Sequence, residues 1–156
     1  MNEKFRQHVE ALHPALERLE QATPFKYADL ASQRLPQRGI YLFSEGCKHL
    51  YVGRSDNISR RIQLHCRQGS THNQATFVFR LAKEFCGIVK ASYKPEGSRA
   101  DLVSRDPLKS AFLAQKQRLQ LMDIRIVGES DANRQALLEM YVSIALETPY
   151  NDFNNH

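Results

Sequence analysis

The sequence predicts an α+β fold, a small three-stranded antiparallel sheet made of a hairpin plus a third strand and flanked by helices. Three observations carry this expectation. Residues 39–43 and 49–53 alternate in hydrophobicity on either side of a Glu45-Gly46 turn signal. A third alternating run, Met122, Ile124 and Ile126 interleaved with Asp123 and Arg125, comes far downstream. Most of the remaining chain carries helical spacing.

Residues 3–21 set Phe5, Val9, Leu12, Leu16 and Leu19 on one helical stripe. This predicts an N-terminal packing helix, with a partner-binding or dimer helix as the alternative. Pro14 lacks a donor and disfavours helix at His13, so either the helix kinks there or a second one starts with Pro14 in its first turn. Thr23-Pro24 opens a connector, and residues 25–30 read as one or two further helical turns. In the hairpin, alternation puts Ile40, Leu42, Leu50 and Val52 on one face and Tyr41, Phe43 and Tyr51 on the other. Symmetric closure of a loop over 44–48 sets Phe43 opposite His49 and Tyr41 opposite Tyr51, which brings the two phenols into one patch.

After Gly53, residues Ser55, Asp56 and Asn57 offer N-caps for a helix over 57–68. Ile58 and Ile62 point inward on it, and Arg61 and His65 share a face. A helix over 73–85 follows, with Phe77, Leu81 and Phe85 as its buried edge. Residues 87–105 read as a loop and a short helix, and Asp106-Pro107 starts a helix that runs to residue 119. The third strand covers 121–127, beside the hairpin. Ser130-Asp131 caps a last helix over 132–147, and residues 150–153 fold back as a tail. On that helix Gln135, Glu139, Ser143 and Glu147 form one narrow polar stripe, which reads either as a water-facing edge or as the place of a functional carboxylate.

Composition narrows the function. A chain of 156 residues is of single-domain length and buries roughly 70% of its unfolded surface, so it needs no disulfide. With 42% hydrophobic and 25% charged residues it is not a disordered chain. No apolar run nears the roughly 18 residues of a membrane span, and charges interrupt the N-terminal apolar positions, so a cytoplasmic protein with no membrane partner is expected. Cys47, Cys66 and Cys86 are an odd number without CxxC spacing and read as buried or idle thiols. A net charge of +5 suits a polyanionic partner. Its placement is informative: Arg54, Arg60, Arg61 and Arg67 face the single acid Asp56 between residues 54 and 67. A basic strip for DNA phosphates is one reading, and a solvated helix face is the other.

Two tyrosines, an arginine, a histidine and a glutamate suggest chemistry at a phosphate. Phosphodiester hydrolysis needs a deprotonated nucleophile, a cation for the phosphoryl oxygens and help for the leaving oxygen. The planar fork of arginine suits those oxygens, and a lone carboxylate suits Mg²⁺, which keeps several of its waters. A phosphate loop, a nucleophile elbow, HExxH and GxGxxG are all absent from the sequence.

Gly39-Ile40-Tyr41 is followed, after nine residues, by Tyr51-Val52-Gly53. Arg61 lies eight residues past Gly53 with His65 a turn later, and Asn151 lies twelve residues past Glu139. This pattern resembles the signature of the GIY-YIG endonuclease superfamily, with valine in place of the middle isoleucine. The resemblance spans residues 36–151. Residues 1–35 are an N-terminal helical extension outside it, and the stretch of about 86–118 is longer than the minimal module. It implies a single nuclease domain over 1–156 with an expanded helical middle.

It also implies hydrolysis of phosphodiester bonds in DNA, duplex or branched. Tyr41 would be the general base, Tyr51 would position water or phosphate, and Arg61 would neutralise the phosphoryl oxygens. His65 matches a histidine found in many members, and Glu139 would hold one Mg²⁺ or Mn²⁺. Gly39, Gly53 and Asn151 would support the site, and Arg54, Arg60 and Arg67 would bind DNA. His72 lies where some members carry another histidine, a loop histidine being the alternative. A tyrosine with an ordinary pKa near 10 needs nearby positive charge or a second proton acceptor, which Arg61 and His65 are placed to supply. Repair and defence against foreign DNA both fit, as do a homodimer and a targeting partner protein. A silent DNA-binding module of the same fold is the alternative function, and an interaction domain with a solvated basic helix is a third.

Overall fold

The computed structural model describes residues 1–88 and 98–153. Among them, seven α-helices and a three-stranded antiparallel sheet make an α+β protein. They fall into two compact units, one of residues 1–61 with the described residues from 122 onward, the other of residues 62–121.

The first unit holds the sheet. Strands β1 (Gly39–Glu45), β2 (Lys48–Ser55) and β3 (Asp123–Gly128) lie in the order β2-β1-β3, so β1 is central. All of β1 except Glu45 is buried, which is why its sequence is apolar at nearly every position rather than at alternate ones. The third strand thus sits beside the hairpin as expected. The pairing inside the hairpin differs from expectation. Gly46, at φ = 60°, closes a two-residue turn with Cys47, so both strands extend into the predicted loop. A bulge between Phe43 and Ser44 then shifts the register. Phe43 consequently faces Tyr51, and Tyr41 faces Gly53, in place of the expected Phe43–His49 and Tyr41–Tyr51 pairs. The phenols still share one patch diagonally, with ring centroids 6.3 Å apart.

On the opposite face, Ile40, Leu42, Val52 and Val127 pack on Leu12, Leu16 and Leu19 of α2 (Leu12–Gln21) and on Leu138 and Val142 of α7 (Ala132–Ala145). Pro14 lies in the first turn of α2, so a second helix starts there, separate from α1 (Glu3–Glu10). α1 buries none of its residues, and Phe5 is exposed rather than part of the stripe. The connector departs from the predicted helical turn at its start. Phe25 exchanges backbone hydrogen bonds with Ile124 at 3.0 and 2.9 Å, covering the outer side of β3, before a 3₁₀ helix at Tyr27–Ser32.

Helix α3 (Ile58–Cys66) crosses from the first unit into the second, which also holds α4 (Thr76–Phe85), α5 (Arg99–Val103) and α6 (Leu108–Gln120). Phe77, Val78, Leu81 and Ala82 of α4 are buried, as are Leu108, Ala111, Phe112 and Leu119 of α6. Phe85, expected on the buried edge, is 76% exposed. It lies in the last turn, just before Gly87 at φ = 71° turns the chain away. α5 is the short helix predicted after the loop, and residues 89–97 of that stretch lie outside the described residues.

Lys116 of α6 is fully buried among these helices. Its ammonium donates to the carbonyls of Gln68, at 2.8 Å, and of Ser70, and lies 4.6 Å from the Phe112 ring centroid. Burial, aided by the charge of Arg67, lowers its pKa to about 8. The folded chain therefore releases a proton that the unfolded chain keeps up to the ordinary lysine value near 10.5. Stability should rise as pH climbs through that window. Denaturant unfolding at pH 7.5 and 9.5 is expected to show the difference between the native chain and Lys116→Met moving in the native chain's favour at the higher pH.

Candidate active site

Gly39 begins β1 at φ = 153°, where a Cβ would stand 2.2 Å from the carbonyl oxygen of Val127. Only glycine lets β1 approach β3 at that point. Two residues on, Tyr41 is 1% exposed. Its phenol lies across its partner Gly53, where a Cβ would stand 2.3 Å from the tyrosine Oη and 2.4 Å from Cζ. The glycine of the second tripeptide thus makes room for the tyrosine of the first. Phe43 holds the Tyr41 ring edge-on at 5.9 Å.

Arg61 reaches this pair from α3. The helix starts where it does because Ser55 Oγ accepts from Asn57 N at 3.0 Å and Asn57 Oδ1 accepts from Arg60 N at 3.1 Å. Ile58 N is bound to Gln37 O at 2.9 Å, which fixes the first turn beside the segment entering β1. The Arg61 guanidinium then hydrogen-bonds both phenols, Tyr41 and Tyr51. Burial pushes its pKa down, and the two phenols more than reverse this. For Tyr41, burial raises the pKa well above the usual value, Tyr51 adds to the rise, and Arg61 offsets only part of it.

Glu139 comes from α7, its side chain 18% exposed. Most of the polar stripe of this helix faces inward: Gln135 and Ser143 are buried and Glu139 is half-buried, whereas Glu147, past the helix end, is exposed, and Met140 and Ile144 are among the exposed positions of α7. Arg54 Nε donates to Glu139 Oε2 at 3.0 Å. Burial raises the carboxyl pKa, and Arg54 and Arg61 pull it back incompletely. Arg54, expected to face DNA, is therefore turned onto the carboxylate. Asn151 serves the backbone of β2, its Oδ1 accepting from Val52 N at 2.9 Å and its Nδ2 donating to Val52 O at 2.7 Å. Its amide acts as one residue of a further strand on that edge.

Tyr41, Tyr51, Gly39, Gly53, Arg54, Arg61, Glu139 and Asn151 thus belong to one unit. His65 and His72 belong to the other. His65 is fully buried, with its ring 6.5 Å from that of Phe77 in an edge-on contact. His72 lies 6.1 Å from the ring of Phe79. Arg60 is exposed on α3, and the exposed Arg67 donates from Nε to Ser70 Oγ at 3.1 Å.

Two roles escaped the sequence reading. Alternation places Arg54 on the helix-facing side of β2, next to Val52, and that was the available signal for its pairing with α7. Thr148 Oγ1 donates to Asn151 Oδ1 at 2.8 Å, and its only mark was a Thr three residues before an Asn at a helix end.

The chain matches no protein-family model, no curated protein and no solved structure in the three comparisons made.

Gly53→Ala forces Tyr41 or β2 to move and should cost about 1–3 kcal/mol in chemical denaturation, as overpacking does. Ultraviolet titration of the folded protein should show at least one phenol fewer ionising around pH 10–11 than the unfolded chain, and Tyr41→Phe should reduce that difference by one. With its folded-state pKa raised, Tyr41 makes the fold lose stability as pH rises through the unfolded value near 10.

Proposed function

We infer that the first unit carries a phosphodiesterase site and that the protein is a Mg²⁺-dependent endonuclease acting on DNA, duplex or branched. One observation carries this reading: two phenols share one guanidinium, and a buried carboxylate from a distant helix interacts electrostatically with that same guanidinium. A purely structural cluster has little use for a guanidinium bound to two neutral phenols. A phosphate at the partly exposed Tyr51 and Arg61 would meet donors already aligned for its oxygens. Tyr41, beneath them, is the proposed general base toward water, Tyr51 positions the water or the phosphate, and Arg61 neutralises the developing charge. Gly39, Gly53 and Asn151 hold these groups in place. The exposed Arg60 and Arg67 are proposed to contact DNA. His65, fully buried, is proposed to support α3 rather than to touch substrate.

The side chains present suit one kind of ion. Among the described residues no group of three or more His, Cys, Asp or Glu side chains could cage an ion. A single carboxylate with Oε2 already shared with Arg54 fits a hard ion that keeps most of its waters, as Mg²⁺ or Mn²⁺ does, and does not fit zinc. Glu139 would hold it, and the bound ion would supply positive charge for the phosphoryl and leaving oxygens. That charge also acts in the direction that lowers the Tyr41 pKa.

The occupied carboxylate and the high Tyr41 pKa favour a second reading, a silent DNA-binding module. The two differ in turnover. Purified protein incubated with supercoiled, branched and single-stranded DNA should nick or cut at least one of them with Mg²⁺ and none with EDTA. Binding without cleavage at stoichiometric protein selects the silent module.

Tyr41→Phe and Glu139→Gln should each lower cleavage by at least about 10²-fold. A carboxyl whose folded-state pKa is raised costs stability once pH exceeds its unfolded value near 4.3. Glu139→Gln should therefore melt at an unchanged or higher temperature while losing activity. A lower melting temperature would show that the ion pair with Arg54 stabilises the fold.

A further inference from the structure

The second unit contains a group of cations that the proposed reaction does not use. Phe79 of α4 is 2% exposed, and three side chains gather on its ring. Lys83 Nζ lies 5.4 Å from the ring centroid, the Arg99 guanidinium carbon lies 5.4 Å from it, and the His72 ring centroid is 6.1 Å away. Lys83 is one turn further along α4, Arg99 comes from α5, and His72 precedes α4, so three separate segments converge on one aromatic side chain.

Lys83 and Arg99 repel each other, and Arg99 disfavours the charged form of His72. Burial lowers the pKa of Lys83, and the charges of Arg99 and Arg80 lower it further. For His72 burial acts first and Arg99 adds to it. Among the described residues no carboxylate pairs with Lys83, Arg99 or His72. Elsewhere the chain pairs its basic groups readily, as in Arg38–Asp56, Arg105–Asp101, Arg134–Glu129 and Lys26–Asp123. The nearby acid on α5, Asp101, is engaged by Arg105 at 3.0 Å. Contact with the ring compensates only part of this repulsion, because an aromatic face leaves the net charge of a cation in place. Like charges concentrated in this way, with exposed Arg99 at the rim, form a site whose missing partner is an anion.

We propose that Lys83, Arg99 and His72 form a phosphate-binding patch on the second unit that grips the sugar-phosphate backbone of nucleic acid, apart from the tyrosine site. Only the choice of nucleic acid over another phosphate rests on the nuclease reading. The patch offers positive charge to phosphate oxygens, so it contributes affinity without sequence preference.

The test is fluorescence anisotropy of a labelled duplex in EDTA, from 50 to 200 mM salt, with the native chain and with Lys83→Gln/Arg99→Gln, which keeps the stems that cover Phe79. The double variant should bind at least about tenfold more weakly at 100 mM salt, with a log–log salt slope shallower by about 2. Tyr41→Phe should leave that slope unchanged. In parallel, NMR of the native chain should show the His72 ring signals moving on addition of duplex, which reads the patch even if the double variant does not fold.

Equal affinity and slope in the double variant, with no His72 shift, overturn the patch and leave the nuclease reading standing if the native chain cleaves. A lost slope in a protein that never cleaves keeps the patch and removes the nuclease. His72 signals that move with inorganic phosphate or with phosphatidylserine vesicles, and not with duplex, overturn nucleic acid as the occupant.

Discussion

A buried phenol lying where the side chain of residue 53 would otherwise be is the constraint on which the candidate site depends. With any Cβ at that position, Tyr41 could not cross β2, and the two tyrosines could not share Arg61. The bulge between Phe43 and Ser44 serves the same end, because it brings Gly53 rather than Val52 opposite Tyr41. Arg61 is then positioned by helix capping at Ser55 and Asn57, immediately after the strand that supplies the glycine. Strand, glycine, cap and arginine act as one device over a short stretch of chain.

Both acidic groups of the site are held toward their protonated forms by burial, Tyr41 strongly and Glu139 less so. Arginines work against this, Arg61 on the phenols and Arg54, with a smaller effect of Arg61, on the carboxylate. Protonation and arginine pairing are the two ways to keep such groups out of water without an uncompensated charge. A phosphate and a hydrated cation offer a third, since one takes up the guanidinium donors and the other the carboxylate. The same contacts that make the arrangement tolerable are thus the ones that a bound phosphate and cation would replace.

The two units handle positive charge differently. In the first, Arg38, Arg54 and Arg134 each meet a carboxylate. In the second, Arg105 meets Asp101, but Lys116 is buried against carbonyl oxygens and Phe112, and Lys83 and Arg99 sit on Phe79. Aromatic faces and carbonyls can accept a cation, but they leave its net charge in place. The excess of +5 is therefore felt where acids are scarce, and α4 with its single Glu84 is such a place.

Much of the fold was legible because it rests on local rules. Short strand-like runs around a turn signal marked the hairpin, alternation marked β3, Pro14 marked a kink or the start of α2, and Asp131 marked the cap of α7, where it accepts from Arg134 N at 2.8 Å. The tripeptide glycines and tyrosines, Arg61, Glu139 and Asn151 were also readable, since their spacing is linear in the chain. What depended on distant partners was not. The bulge follows from how β1 is gripped between β2 and β3, and the inward turn of the α7 stripe follows from the sheet it packs against.

His65 could be placed by periodicity on the helix of Arg61, but burial against Phe77 belongs to a segment that periodicity does not see. Arg54 read as a free cation because its counter-ion lies on another helix. By itself the sequence determined which residues are candidates for the site and on which elements they stand, because backbone period and capping are short-range. Only the tertiary structure decided which charges neutralise one another and which stay open, because burial and Coulomb energy depend on distances that chain separation does not encode.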